Sequence, residues 1–141
     1  MACFLDTNVL LYAVTVAADE AHKQAAAQQL LQRRDAALSV QVLQEFYVQA
    51  TRATRENPLS HENARDLVTS WMRFRVQPMT LAVVNRALDI REAFGFSYWD
   101  SAIIAAAQSA GCEILYTEDL SHGQVVDGVT IVNPFRDVSA G

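Results

Sequence analysis

Lysine is almost missing from this chain. Lys23 is the only one, and the other ten of the eleven basic residues are arginine. Arginine offers a planar fork matched to phosphate or carboxylate, although an Arg- and Ala-rich coding bias gives the same composition. Cysteine is scarce too: Cys3 and Cys112 are the two. With no secretory signal, they read as free thiols in a reducing compartment. No long apolar run is present. The start, MACFLDTNVLLYAV, lacks a basic leader and is interrupted by Asp6 and Asn8, short of the roughly 18 clean apolar residues of a membrane span. The cytoplasm is therefore the expected location, with no membrane partner. Ser97, Ser101 and Ser109 show no nucleophile-elbow pattern, and no glycine-rich phosphate loop is visible. His22, His61 and His122 have no metal-ligand spacing and read as surface histidines. Repeats, low-complexity stretches and linkers are also lacking.

What remains is a chain of 141 residues, 51% hydrophobic. That length fits one domain, expected over residues 1–141, with a core large enough to need neither disulfide nor structural metal. The net charge of −5 has the wrong sign for a nucleic-acid binder. Setting aside the four acids singled out below leaves −1.

Short apolar stretches alternate with helical patterns. Strands are expected at Ala2–Leu5, Ala36–Leu38, Glu113–Thr117 and Val129–Val132. Val76–Met79 reads as an edge strand or no strand, because of Pro78. Helices are expected over Thr7–Val16, Asp19–Arg34, from the N-cap Ser39 to about Arg55, from Ser60 to about Phe74, from Thr80 to Gly95, and from Ser97 to Gly111. Trp71, Phe74, Phe94, Phe96, Tyr98 and Trp99 read as core or interface residues. This alternation predicts an α/β fold: a three-layer α/β/α sandwich on a mostly parallel sheet with right-handed crossovers.

In a parallel sheet every strand ends at the same edge, and ligand sites lie there. Asp6 follows the first strand, Glu45 lies in the helix after the second, Asp100 is in the first turn of its helix, and Asp119 follows the Glu113–Thr117 strand. A parallel sheet brings all four to one edge. Clustered carboxylates resist joint ionisation, and a divalent cation removes that cost. All-oxygen ligands suit Mg²⁺ or Mn²⁺. Each acid also has an ordinary use. Asp6 suits an N-cap, and Asp100 completes a capping box with Ser97. Glu45 falls on the polar side of its helix, near Gln41, Gln44 and Gln49, where periodicity alone makes it a solvated surface acid. Asp119 sits beside Glu118, and spacing does not choose between them. The helix around Asp100, WDSAIIAAA, is apolar almost all round, so its start is expected to be buried.

The chain resembles the PIN domain in its VapC-like toxin branch. The likeness runs through FLDTNVLLYA (Phe4–Ala13), VLQEFYV (Val42–Val48), FSYWDSAIIAAAQSAGCEILYTEDL (Phe96–Leu120) and HGQVVDGVTIVNPF (His122–Phe135). The resemblance implies that Asp6, Glu45 and Asp100 are the three firm acids and Asp119 the more variable fourth. Thr7, Asn8 and Thr117 then match small polar supports of the ligands. It further implies Mg²⁺- or Mn²⁺-assisted hydrolysis of RNA phosphodiesters to a 5′-phosphate and a 3′-hydroxyl, a VapB-like antitoxin partner, and a homodimer. Arg33, Arg34, Arg52, Arg55, Arg73 and Arg75 are candidates for backbone phosphate contacts. Two rival readings differ in class. A non-catalytic binding module keeps the same fold but has no need of the intact acid set. A haloacid-dehalogenase-type phosphotransferase wants a second Asp where this chain has Asn8, and a late lysine where it has none.

Overall fold

The computed structural model describes residues 1–136; residues 137–141, the end of the expected domain, lie outside the described residues. The apolar stretches form β1 (Cys3–Leu5), β2 (Ala36–Ser39), β3 (Arg75–Gln77), β4 (Ile114–Tyr116), β5 (Val125–Val126) and β6 (Val129–Val132). They make one sheet in the order β3-β2-β1-β4-β6-β5. All pairings are parallel except β5 with β6. β1 lies at the centre, with Phe4 beside Ala37 on one side and Leu115 on the other. Its three residues are fully buried, as a strand covered on both faces must be. β3 is an edge strand, and Pro78 directly follows it.

The helices are α1 (Thr7–Ala13), α2 (Ala21–Leu30), α3 (Val40–Ala50), α4 (His61–Trp71), α5 (Leu81–Phe94) and α6 (Tyr98–Ser109). Four start as their caps require. Ser39, Ser60, Thr80 and Ser97 each accept a backbone N–H three residues on. Gly95, at φ +80°, ends α5 in the left-handed conformation that a side chain disfavours. Crossovers between parallel strands are right-handed almost without exception, and the chain steps from β1 outward to β3 and then back across to β4. That reversal puts α1–α4 on one face and α5–α6 on the other. α1 packs on α2 and α3, α3 on α4, and α6 lies across β2, β3, β4 and β6. The core fills both layers: Leu10, Val42 and Phe46 on the first, Val83, Ile90 and Ile104 on the second, with Phe4, Leu38, Leu115 and Ile131 between.

Several boundaries differ from the sequence expectation. α1 stops at Ala13, three residues early. The stretch expected as one helix from Asp19 to Arg34 opens with a 3-10 turn at Ala18–Glu20 and ends at Leu30. α3 ends at Ala50 because Thr51 turns its hydroxyl back to Tyr47 O (2.7 Å) and Leu59 N–H donates to Ala50 O (2.8 Å), folding the following loop onto the helix end. α4 likewise ends at Trp71 rather than Phe74. The strand β5 was not expected at all. It pairs with β6 through a two-residue turn in which Asp127 (φ +46°) and Gly128 (φ +88°) are both left-handed. None of the described helices is long and apolar enough to cross a membrane.

Candidate active site

β1 sends its connection one way along the sheet, and β4 sends its connection the other. The gap between their carboxyl ends is a topological switch point, where a crevice opens. Asp6 and the Thr117–Asp119 turn flank that crevice. Asp6 continues the ladder by donating its N–H to Tyr116 O (3.1 Å). Its side chain caps α1 with one oxygen and faces the crevice with the other. Oδ1 accepts from Thr7 N–H at 2.7 Å, and Oδ2 accepts from the Thr117 hydroxyl at 2.9 Å. Capping and membership of the site are thus both true of Asp6.

Glu45 corrects the reading from periodicity. It is half-buried, not solvated. Oε2 accepts from the Thr7 hydroxyl (3.0 Å) and Oε1 from Gln41 Nε2 (2.8 Å). The polar stripe Gln41–Glu45–Gln49, one residue every four along α3, faces the crevice. Hydropathy separates polar from apolar faces, but it cannot tell a polar crevice from bulk water. Gln41, only 3% exposed, and Gln49, which lines the crevice, were therefore missed. Their spacing around Glu45 was the signal that pointed to them.

Asp100 is half-buried, and its N–H is capped by Ser97 Oγ at 3.2 Å. The body of α6 is buried from Ser101 to Ala107, but the first turn is not, contrary to expectation. Trp99 there is 61% exposed. The body is sandwiched between the sheet and α5, whereas the first turn rises past the sheet edge. The neighbouring acids Glu118 and Asp119 part company. Asp119 is exposed at the crevice, and its Oδ2 accepts from Asn8 Nδ2 at 3.1 Å. Glu118 points instead to Tyr12 Oη (2.6 Å) and Lys23 Nζ (3.2 Å).

Thr117 is the hub beneath these groups and is fully buried. Its hydroxyl donates to Asp6 and accepts from Asn8 Nδ2 (3.0 Å) and Asp119 N–H (3.1 Å). Thr7, Asn8 and Thr117 thus wire Asp6, Glu45 and Asp119 into one network. Asp100 joins them across a cavity of about 160 Å³ that all four acids line and no basic side chain enters. Larger hollows of about 1010 and 780 Å³ lie elsewhere, but neither gathers more than one carboxylate. Burial, followed by the charges of Asp119 and Glu45, raises the Asp6 carboxyl to about 7 against the hydrogen bonds from Thr7 and Thr117. Burial, and then the same two acids, also raises Asp100.

Among the described residues, no three His, Cys, Asp or Glu side chains stand close enough to hold a metal ion by themselves. Mg²⁺ commonly takes only one or two carboxylates and keeps several waters. The donor set therefore fits Mg²⁺ or Mn²⁺: it is all oxygen, and no basic side chain lines the cavity.

The arginines do not gather here as expected. Arg33, Arg34, Arg73 and Arg75 line a hollow with Ala2, Asp35 and Phe74, at the opposite edge where β1, β2 and β3 begin. Arg55 alone of the six lines the hollow next to the acids, with Asn8, Gln49 and Asp119. Lys23 lies over the Tyr12 ring (4.6 Å) beside Glu118 and does not line the acidic cavity, which leaves a phosphotransferase without its lysine.

Comparison with known proteins follows the same lines. The family model for the PIN domain matches residues 3–127. No curated protein matches the sequence. Several solved structures share the fold. A chain of a toxin–antitoxin complex from Klebsiella pneumoniae superposes with a TM-score of 0.68 at 21% identity, covering 95% of this chain and 98% of the other. A chain of the DNA-bound VapBC from Salmonella typhimurium gives 0.67 at 19%, covering 93% and 96%. A VapC toxin of Mycobacterium tuberculosis that cleaves the sarcin–ricin loop gives 0.66 at 17%, covering 92% and 99%.

Proposed function

The chain belongs to the PIN-domain family, and from that premise we propose that it is a single-domain, divalent-metal-dependent endoribonuclease, the toxin half of a VapBC-type toxin–antitoxin pair. The observation that carries this reading is the convergence of Asp6, Glu45, Asp100 and Asp119 on one cation-free cavity at the switch point of the sheet. Four carboxylates in such a place repel one another, and the cap that Asp6 makes on α1 occupies only one of its oxygens.

Asp6 and Asp100 would hold Mg²⁺ or Mn²⁺ directly, with Asp119 beside them and Glu45 acting directly or through water. When bound, such an ion activates water and neutralises charge on the phosphate. The chain's own residues do the rest. Thr117 and Thr7 N–H fix both oxygens of Asp6, so the carboxylate needs no reorganisation when the ion arrives. Thr7 and Gln41 clamp Glu45 from two sides, and Asn8 holds Asp119. The cavity of about 160 Å³ has room for a phosphate and its waters, and the nucleotides would lie across its mouth. Arg55, next to the acids, supplies a cation for an adjoining phosphate. No nucleophilic side chain is required, and the products are a 5′-phosphate and a 3′-hydroxyl.

Likeness to toxin–antitoxin structures that this chain matches over nearly its full length supports the toxin role and a VapB-like antitoxin partner; a homodimer and a cytoplasmic location are part of the same proposal. The test is incubation of purified, partner-free protein with total cellular RNA in Mg²⁺ or Mn²⁺ and in EDTA, with the fragment ends sequenced. Discrete cuts bearing 5′-phosphates, absent in EDTA, are expected. Cuts that persist in EDTA or carry 2′,3′-cyclic ends refute the reading.

A further inference from the structure

A nuclease with an acidic site needs attraction elsewhere, because its own carboxylates repel the RNA backbone. The described residues next to the acids offer one cation, Arg55. The opposite edge of the sheet offers more. Arg33, Arg34, Arg73 and Arg75 line one open cleft of about 780 Å³ there, with Asp35 as its one acid. Asp35 is already taken: Arg33 grips it through Nε (2.9 Å) and Nη2 (2.8 Å) and also reaches Tyr116 Oη (3.1 Å). Arg34, Arg73 and Arg75 are exposed and have no acidic partner among the described residues. Arg33 is the one arginine with an acidic partner among the described residues, so what sets these three apart is that they gather in one cleft. Three unpaired guanidiniums in one cleft repel each other and are held there by the fold. Arg73 is anchored by the Ser70 and Leu31 carbonyls (3.0 and 3.4 Å) and lies over the Phe74 ring at 4.4 Å. Arg75, at the start of the edge strand β3, donates to Cys112 Sγ at 3.8 Å.

We propose that this cleft is a second phosphate-binding surface, which takes the backbone of a substrate RNA at nucleotides remote from the cut. The inference rests on the RNA reading above. Planar guanidiniums match phosphate bidentately. Strands of three or four residues put roughly 10 Å of sheet or more between cleft and acids. An RNA that occupies both must run several nucleotides past the cut, so a substrate long enough to span them gains contacts that a shorter one lacks.

The probes are a folded transfer RNA and a short single-stranded oligonucleotide, bound in EDTA so that neither is cut, with anisotropy read against salt. The variants are Arg34→Gln/Arg75→Gln, which keeps the Arg73 anchors, and the same with Arg73→Gln. Melting curves like the parent's confirm folding, and the double variant serves if the triple unfolds. For the triple variant, the salt slope of log affinity for transfer RNA is expected to shrink by about 2, at roughly 0.7 per lost phosphate contact. For the double variant it shrinks by about 1.4, and the slope for the oligonucleotide falls in both variants, because a phosphate backbone of either length reaches the cleft. An unchanged slope with transfer RNA overturns the proposal. So does a parent that binds polyglutamate but not transfer RNA through these arginines. If the parent cuts no RNA in Mn²⁺ yet shows the expected slope change, the cleft stands and the nuclease reading falls. If it cuts normally and the slope does not move, only the cleft falls.

Discussion

Replacing Asp6 with Asn should make the metal-free protein more stable at neutral pH while abolishing its activity. Asp6 is 7% exposed, and its carboxyl is raised from 3.8 to about 7, chiefly by burial. Between those values the folded state keeps a proton that the unfolded chain releases. Stability from this group is therefore full below the unfolded value, declines as pH rises, and is lost above about 7. The full loss is about 4 kcal/mol, of which about 2 falls between pH 5 and 7 and nearly 3 between pH 5 and 8. Asn cannot ionise and escapes it. It carries its own cost, because Thr117 Oγ1 already accepts from Asn8 and Asp119 N–H and must donate to Asp6. An amide nitrogen facing that oxygen leaves a buried pair mismatched, at about 1–3 kcal/mol. Turning the amide over puts the mismatch on Thr7 N–H instead. The variant should thus be equal to or slightly weaker than the parent at pH 5, and about 1–3 kcal/mol stronger at pH 8. The assay is urea unfolding in EDTA across that range. The difference between variant and parent should move by about 3 kcal/mol. Mn²⁺ at about a hundred times its Kd should then raise the parent by about 2.7 kcal/mol and the variant by little. A difference that stays flat with pH refutes the reasoning, because it means that Asp6 is not a desolvated charge.

Three further outcomes follow from the same geometry. Thr117→Val keeps the volume but removes the hub beneath Asp6, Asn8 and Asp119; we expect a loss of about 1–3 kcal/mol in urea unfolding, and a kcat at least about tenfold lower for about 1.4 kcal/mol of lost positioning. Glu118→Gln weakens only the contact with Lys23 and Tyr12, so kcat should stay within about twofold of the parent and stability within about 1 kcal/mol, whereas Asp119→Asn should slow cleavage in the same assay. Phe46→Ala removes a fully buried ring that meets Trp71 edge-on at 4.7 Å, and calorimetry should show a loss of about 3–5 kcal/mol.

Most of the sheet was legible because its strands are short apolar runs separated by capped helices, and both signals are local. Ser39, Ser60, Thr80 and Ser97 marked four helix starts correctly. Helix ends were less legible, because they depend on where the chain turns next. Thr51 and Leu59 end α3 with contacts that no periodicity contains. The β5–β6 hairpin carried a readable Asp127–Gly128 signal, hidden by the shortness of β5. At the site, the parallel sheet brought Asp6, Glu45, Asp100 and Asp119 to one edge, but spacing did not choose Asp119 over Glu118. Glu45 needed the family resemblance, since its helix shows it to a polar crevice rather than to water. Where the arginines lie was not legible, because it depends on which end of a strand they flank. Arg33, Arg34, Arg73 and Arg75 lie just before or at the start of β2 and β3, and so fall at the far edge.

Single-turnover cleavage of RNA in Mn²⁺ by the parent, Asp6→Asn, Asp100→Asn and Glu118→Gln proteins tests the central claim most directly. The account predicts cleavage by the parent and Glu118→Gln at similar rates, abolished by EDTA, and none above background by Asp6→Asn or Asp100→Asn. Equal cleavage by Asp6→Asn and the parent would contradict it, because the acids at the switch point would then not be the centre of the chemistry.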